Sequence, residues 1–247
     1  MIAISQFATT LRDNRRMTII IALLTLLVVI VTFPMRMALA MGPFERGPLQ
    51  AFSASGTVWS GKLSQVNVGP ASLGDMQAGL RFWPLFLGRQ SFAVERMGDG
   101  AAKGHATVSS TPGGYAIEDM TVALPLDGLL APLPAGQLGF EQVDVRFLDG
   151  KCLSASGRLT LSLRPFLPGL QDDEAMVGAP RCSDDRLLLP LANGAGTRRV
   201  DIYIGASGDY RATLRLEALP DIEPALIEGR GFRQNDGRWQ MQLDGQL

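Results

Sequence analysis

Residues 17–35 of the chain read MTIIIALLTLLVVIVTFPM, nineteen consecutive positions without a charged side chain. A helix rises about 1.5 Å per residue, so this segment nearly matches the roughly 30 Å hydrocarbon core of a bilayer. So long an apolar run is uncommon in a helix buried inside a water-soluble protein. It therefore predicts one transmembrane helix over residues 17–35, with Pro34 stopping or kinking the helix near its far end.

The charges beside this run predict its orientation in the membrane. Three arginines within residues 12–16 precede it, opposed by one aspartate, whereas Arg36 alone follows directly. Basic residues are retained on the cytoplasmic side of a bacterial inner membrane. We therefore expect residues 1–16 to form a cytoplasmic leader and residues 36–247 to form a periplasmic domain.

A cleaved signal peptide is the alternative interpretation of the N-terminus. Ala38, Leu39 and Ala40 resemble the A-x-A motif that precedes a signal-peptidase site. The apolar run, however, exceeds the apolar core of a signal peptide, which is usually about 7–15 residues long. Arg36 also separates the run from the motif. We expect an uncleaved anchor, and both interpretations place most of the chain outside the cytoplasm.

Beyond this segment the chain consists of short alternating runs separated by turn residues. Alternation of apolar and polar residues is typical of a strand with one buried face. Asp149-Gly150 and Asp236-Gly237 are dipeptides that favour hairpin turns. The pattern predicts a mainly β domain, an antiparallel meander in a twisted sheet. Its predicted strands cover residues 63–68, 79–83, 90–94, 105–109, 115–124, 143–147, 153–163, 200–204, 212–216, 231–234 and 239–243.

Few other segments interrupt the predicted strands. Prolines within residues 125–134 divide the domain into two possible halves, residues 44–124 and 135–247. The dividing segment itself is expected to be a loop or a single helical turn. Residues 221–227 are expected to form a short helix, capped by Asp221 and ended by Gly229.

Composition argues against several classes of function. The 23 basic and 24 acidic residues balance, and no basic cluster is present, so we expect no nucleic-acid partner. His105 is the single histidine, so the chain has no histidine pair that could bind a metal. The sequence also has no G-x-S-x-G motif, which would carry the nucleophile of a hydrolase. The acidic runs at residues 172–174 and 184–185 lack the spacing of a calcium-binding EF-hand loop. We expect no catalytic activity, no metal site and no cofactor.

Cys152 and Cys182 are the two cysteines of the chain, and both follow the predicted anchor. The periplasm is oxidising, so two otherwise unpaired thiols there should form a disulfide. The bond would close a loop of about thirty residues and requires the two Cα atoms to lie within about 4.4–6.8 Å.

Several sequence blocks occur in the order found in one bacterial family. The most specific is SGTVWSGK at residues 55–62, which resembles a G-T-V-W-x-G motif. Together with the others, it makes the chain resemble the general (type II) secretion pathway protein N family over nearly its whole length. The remaining blocks are residues 33–39, 73–75, 83–85, 229–232 and two cysteine-containing blocks, 147–157 and 178–182.

The resemblance implies a non-catalytic inner-membrane component of the machine that moves folded proteins from the periplasm across the outer membrane. Other secretion components are the implied partners. Within the first block, Trp59 either caps the core or joins a partner surface. An AsmA-like envelope protein that binds or bridges lipids is the alternative function, since a one-sided sheet behind an anchor could form an apolar trough. The candidate surface for binding other secretion components consists of Gly56, Thr57, Val58, Trp59 and Gly61, all in the first block.

Overall fold

A computed structural model describes residues 15–37, 49–68, 71–97, 104–126, 136–163, 175–217 and 224–246. Its first element is helix α1, Arg15–Val31. Within these ranges, no helix is both long enough and apolar enough to cross a membrane. Most of the predicted leader and the A-x-A motif lie outside the described residues.

Helical residues 35–37, fifteen strands and two short named helices follow α1 in the described part of the chain. The helices are α2, Phe82–Leu85, and α3, Pro224–Glu228. The strands are β1 Leu49–Thr57, β2 Ser60–Val68, β3 Ala71–Leu80, β4 Gln90–Arg96, β5 Gly104–Thr111, β6 Gly114–Pro125, β7 Gln137–Leu148, β8 Lys151–Ser162, β9 Met176–Gly178, β10 Arg181–Ser183, β11 Arg186–Ala192, β12 Arg198–Ile204, β13 Asp209–Leu216, β14 Arg233–Asn235 and β15 Arg238–Gln246.

These strands form one antiparallel sheet in which chain order is nearly the order in space. β1 to β9 lie side by side, followed by β11, β12, β13, β15 and β14, while β10 pairs with β11 beside this path. Each strand therefore pairs mainly with its neighbour in sequence, which is the arrangement of a meander. The prediction of a mainly antiparallel β domain is confirmed.

Two of the hairpin turns lie where the sequence predicts them. Asp149 and Gly150 join β7 to β8, with φ of 48° and 77°, and Asp236 and Gly237 join β14 to β15, with φ of 49° and 74°. Both central residues of such a turn need positive φ, which glycine and aspartate tolerate better than most residues. Local chemistry is therefore sufficient to place these two hairpins.

The main hydrophobic core is formed by side chains of the part of the sheet that extends from β6 to β15. Alternation along β7 directs Val143, Val145 and Phe147 into it, while the intervening Asp144 and Arg146 are exposed. The same core includes α3, whose Ile227 is fully buried. Its other buried members are Leu126, Leu138, Cys152, Leu159, Leu161, Met176, Leu187, Leu189, Leu191, Val200, Ile202, Ala212, Leu214, Leu216, Phe232, Trp239 and Met241.

A second, smaller core lies beneath β1 to β4. It consists of Met35, Ala54, Val58 and Ala78, and Met35 comes from the segment that follows α1. The sheet continues from one core to the other through paired β5, β6 and β7. The residues between the two predicted halves, 127–135, lie outside the described ones, so the division into halves stays a prediction.

Several segments differ from the sequence-based expectation. The predicted strand over residues 79–83 ends as β3 at Leu80, and Trp83 lies on α2 instead, because Pro84 cannot donate a ladder hydrogen bond. The short helix is described over Pro224–Glu228, and its expected start at Asp221 lies outside the described residues. The predicted strand over residues 231–234 begins as β14 only at Arg233.

Candidate partner surface at the end of the apolar helix

The block of residues 55–62 forms the tip of the β1–β2 hairpin. Gly56 pairs with Gly61 across the strands, and the turn itself consists of Val58 and Trp59. Gly56 has a φ of +87°, and a Cβ atom at this position would lie 2.6 Å from the carbonyl oxygen of Ser60. Both the backbone conformation and the close approach require glycine here.

The tip of this hairpin contacts the end of α1. The indole Nε1 of Trp59 donates a hydrogen bond of 2.8 Å to the carbonyl oxygen of Ile30, in the last turn of the helix. The backbone N–H of Val58 donates to the carbonyl oxygen of Phe33 at 2.9 Å. The bond from Val58 gives the Phe33 carbonyl a partner, and the Trp59 bond adds to the 3.4 Å bond that the Ile30 carbonyl accepts from the backbone N–H of Phe33.

The chain continues along the hairpin after it leaves the helix. Pro34 forms an isolated bridge with Thr57, and the Arg36 Nε donates to the carbonyl oxygen of Ala54 at 2.8 Å. This pairing takes the backbone out of helical geometry. It explains why α1 ends at Val31 and not at the expected Met35. The single bridge at Pro34 is antiparallel to β1, and the backbone is helical again over residues 35–37.

The space beneath the tip is closely filled. A Cβ atom at Gly61 would lie 2.8 Å from Cγ of Met35, and a Cβ atom at Gly79 would lie 2.5 Å from the carbonyl oxygen of Trp59. The Trp59 side chain is partly buried and packs against the small core that contains Met35. This contact corresponds to the core-capping interpretation of Trp59. Its role in a partner surface stays a prediction.

An exposed aromatic cluster lies beside the tip. The ring centroids of Trp59 and Phe82 are 5.8 Å apart, and Phe82 contacts Phe86 at 5.1 Å in an edge-to-face arrangement. Trp83 lies 6.1 Å from both phenylalanine rings. We call Phe82, Trp83, Phe86 and Leu87 the aromatic platform. The sequence predicts a strand over residues 79–83 and does not indicate that these side chains are exposed together.

Cys152 and Cys182 form a disulfide, with Cα atoms 5.5 Å apart. Cys152 is the second residue of β8, and Cys182 lies in the centre of the short strand β10. The backbone N–H of Cys152 also donates to the carbonyl oxygen of Asp185 at 2.9 Å. The bond joins β8 to the β10–β11 hairpin at the edge of the main core, and the predicted pairing is confirmed.

The residues considered for catalysis do not form a pocket of reactive groups. His105 Nε2 lies 3.3 Å from Asp119 Oδ2, and both side chains are more than half exposed. Asp184 and Asp185 form the exposed turn between β10 and β11, and the acidic run at residues 172–174 lies outside the described ones. In the ranges that the structure covers, no three acidic, histidine or cysteine side chains are grouped closely enough to hold a metal.

Hydrogen bonds and ion pairs near the start of β13 lower the pKa of two exposed carboxyl groups, those of Asp209 and Asp244. The side-chain amide of Gln242 and then the guanidinium of Arg211, 2.6 Å away, hold the pKa of Asp244 below its usual range. A hydrogen bond from the Ser207 hydroxyl lowers the pKa of Asp209. A general acid at neutral pH needs the opposite shift. These two carboxylates therefore stay ionised on the surface.

Comparison with known proteins relates the sequence of this chain to one family. The family described as "Type II secretion system (T2SS), protein N" matches residues 47–242. The chain belongs to this family. A relative, "Type II secretion system protein N" of Vibrio cholerae serotype O1, is 31% identical over 144 residues, which are 54% of this chain and 56% of the relative. The match thus spans little more than half the length of that protein. No solved structure matches the chain.

The range that matches protein N of the type II secretion system includes three features described above. Residues 47–242 contain the β1–β2 hairpin with its glycines, the aromatic platform and both cysteines. Helix α1 lies before the matched range. The family assignment made from the sequence blocks is confirmed, while the surface role of the first block remains without a direct test.

Proposed function

We propose that this protein N is a non-catalytic inner-membrane component of the type II secretion machine, held in the membrane by α1 with its sheet in the periplasm. Membership of the family carries the proposal. It supports a role in the export of folded proteins across the outer membrane and contact with other components of the machine. The match gives no support to the alternative of a protein that binds or bridges lipids.

The surface of α1 supports the membrane part of the proposal. Every large apolar side chain from residue 17 to residue 31 is 41% to 60% exposed. A helix that is apolar on all sides is stable when it is surrounded by protein core or by lipid. The seventeen residues of α1 fall at the lower end of the range for a membrane helix, and a bilayer accommodates a short helix by thinning locally.

The periplasmic location of the sheet has two supports. The arginines before the apolar run favour a cytoplasmic N-terminus. The disulfide between Cys152 and Cys182 requires an oxidising compartment, which the bacterial cytoplasm is not. Both observations support the proposal that the residues after α1 lie on the periplasmic side.

Location and export can be tested separately. Alkaline phosphatase fused after Leu247 should be active, because the enzyme needs periplasmic oxidation, and activity from a cytoplasmic reporter at the same position would contradict the topology. Deletion of the gene should leave a secreted enzyme in the periplasm, and the full chain should restore its export. Normal export after deletion would contradict the role in secretion.

Contact with other components can be tested at the hairpin tip. A photo-reactive amino acid at exposed Ser60 should crosslink to another secretion component in cells. The same substitution at exposed Ser154, on β8, is the matched control. Equal crosslinking from both positions, or none from Ser60, would contradict a partner surface at the tip.

A further inference from the structure

The aromatic platform is a cluster of large, exposed apolar side chains in the described sheet domain. Its four side chains are 51% to 79% exposed, although each is large and apolar. Contiguous exposed apolar groups of this kind usually mark a surface that contacts something other than water. The rings also contact each other at centroid distances of 5.1 to 6.1 Å, so they form one cluster and not scattered single residues.

The position of the platform relative to α1 indicates what it contacts. Phe82 packs against Trp59, and the Trp59 indole is bonded to Ile30 in the last turn of the apolar helix. The backbone N–H of Leu80, just before α2, also donates to the carbonyl oxygen of Val58 at 2.9 Å. The platform is therefore joined through the hairpin tip to the point where the apolar helix ends.

Basic residues lie on both sides of the platform. Arg81 directly precedes α2, and Arg89 follows Leu87 after one glycine, and both are exposed. Aromatic rings between guanidinium groups suit the boundary between acyl chains and phosphates, where the rings enter the apolar layer and the cations reach the phosphates. A solvated protein surface would gain nothing comparable from this combination.

We propose that the aromatic platform inserts into the periplasmic leaflet of the membrane that α1 enters, with Arg81 and Arg89 at the lipid phosphates. The proposal rests on the membrane anchoring of α1 given above. It makes α2 a second, peripheral membrane contact and fixes the orientation of the β1–β4 part of the sheet against the bilayer. The occupant of the exposed aromatic surface is phospholipid.

Quenching by brominated lipid tests this proposal in the full chain. Trp59→Phe and Trp239→Phe together leave Trp83 as the only indole, and the chain is reconstituted in vesicles of phosphatidylethanolamine and phosphatidylglycerol. Bromine near the headgroup end of the acyl chains should reduce Trp83 emission by about twofold, as expected for an indole at the interface. Iodide added outside the vesicles should quench it weakly.

An exposed aromatic residue farther along the hairpin provides the matched control. Phe52 on β1 is 84% exposed and lies beyond Ala54, in the direction that leads away from the end of α1. With Phe52→Trp as the only indole, iodide should quench strongly and brominated lipid weakly. If Trp83 behaves like position 52, the proposal is wrong. If Trp83 resists both quenchers, protein covers the platform, which also overturns the proposal.

A second measurement avoids replacing Trp59, whose indole bonds to α1. Leu87→Cys adds one free thiol to a chain whose own cysteines are bonded to each other. A nitroxide label is attached to this thiol. Its collisions are measured with oxygen, which is enriched in lipid, and with a nickel complex, which is soluble in water. The nitroxide should collide more often with oxygen than with the nickel complex. Extraction of the chain from vesicles by alkaline carbonate would overturn the membrane anchoring and the platform proposal together. A carbonate-resistant chain with a nitroxide in water would overturn the platform proposal alone.

Discussion

Removal of the disulfide is the perturbation whose magnitude follows most directly from the structure. Cys152 and Cys182 are separated by 30 positions in sequence. In the chain-entropy model, cross-linking a loop of that length lowers the entropy of the unfolded chain and raises its free energy by about 3.6 kcal/mol at 25 °C. Cys152 is also buried, so its replacement by alanine removes packing in the main core. We expect Cys152→Ala/Cys182→Ala to lower the free energy of unfolding by about 3–4 kcal/mol, with residual structure in the unfolded chain offsetting the packing loss.

The assay is urea unfolding of the full chain in detergent, followed by the fluorescence of Trp239 in chains that also carry Trp59→Phe and Trp83→Phe, so that Trp239 is the only indole. This residue is buried in the same core as Cys152, so its emission reports unfolding of the part of the sheet that the bond crosslinks. The wild-type chain measured with a thiol reductant is the matched control. It should lose about as much stability as the double variant, and the reductant should leave the variant unchanged.

Two results would refute this reasoning. A loss below about 1 kcal/mol in the double variant would mean that the unfolded chain is already constrained near these positions, so that the loop model does not apply. A large loss in the variant without a loss in the reduced wild-type chain would assign the effect to the packing of the substituted side chains and not to the cross-link.

Three further predictions concern packing and pH. Leu159→Ala, at a fully buried position on β8, should cost about 2–5 kcal/mol in urea unfolding, whereas Leu153→Ala, 55% exposed on the same strand, should change stability by less than about 0.5 kcal/mol. Gly61→Val should cost about 1–3 kcal/mol because its Cβ meets Met35, and adding Met35→Ala should recover part of that loss. The pKa of Asp244 is lowered in the folded chain, so its carboxylate contributes to folding stability. This contribution is fully present above the pKa of the unfolded chain, about 3.9, and is lost as the pH falls through the pKa of the folded chain. Asp244→Asn should therefore flatten the dependence of the unfolding midpoint on pH below about pH 4, and an unchanged slope would contradict the shift.

Features that depend on local chemistry were predictable from the sequence. The Asp149-Gly150 and Asp236-Gly237 hairpins follow from the φ angles that these residue types tolerate. The alternation of β7 follows from the two-residue period of a strand with one buried face. The disulfide was predictable for a different reason, since two cysteines beyond a predicted membrane anchor have no other partner.

Features that depend on distant partners were not predictable. The apolar run predicts a helix to Met35, but the backbone of Phe33 and Pro34 pairs with the β1–β2 hairpin, more than twenty residues away. The three-residue strand β9 is stabilised by β8 on one side and β11 on the other, and carries too few residues to show a pattern. The glycines of the first block indicated tight bends, but not that Gly61 makes room for Met35.

The contacts at the end of α1 bear on how such a component would work. Between Ile30 and Arg36 the chain makes hydrogen bonds to the hairpin tip and to β1, and Met35 is buried beneath them. A membrane anchor is often joined to its domain by a flexible linker, which would let the domain take many orientations. Here the residues after the helix are part of the small core. If α1 lies in the membrane as proposed, the hairpin tip stays at the membrane surface, and the first four strands keep one orientation relative to it. A flexible glycine-serine insertion after Phe33 that leaves the sheet folded should then impair export, and full export by that variant would show that this fixed orientation is not required.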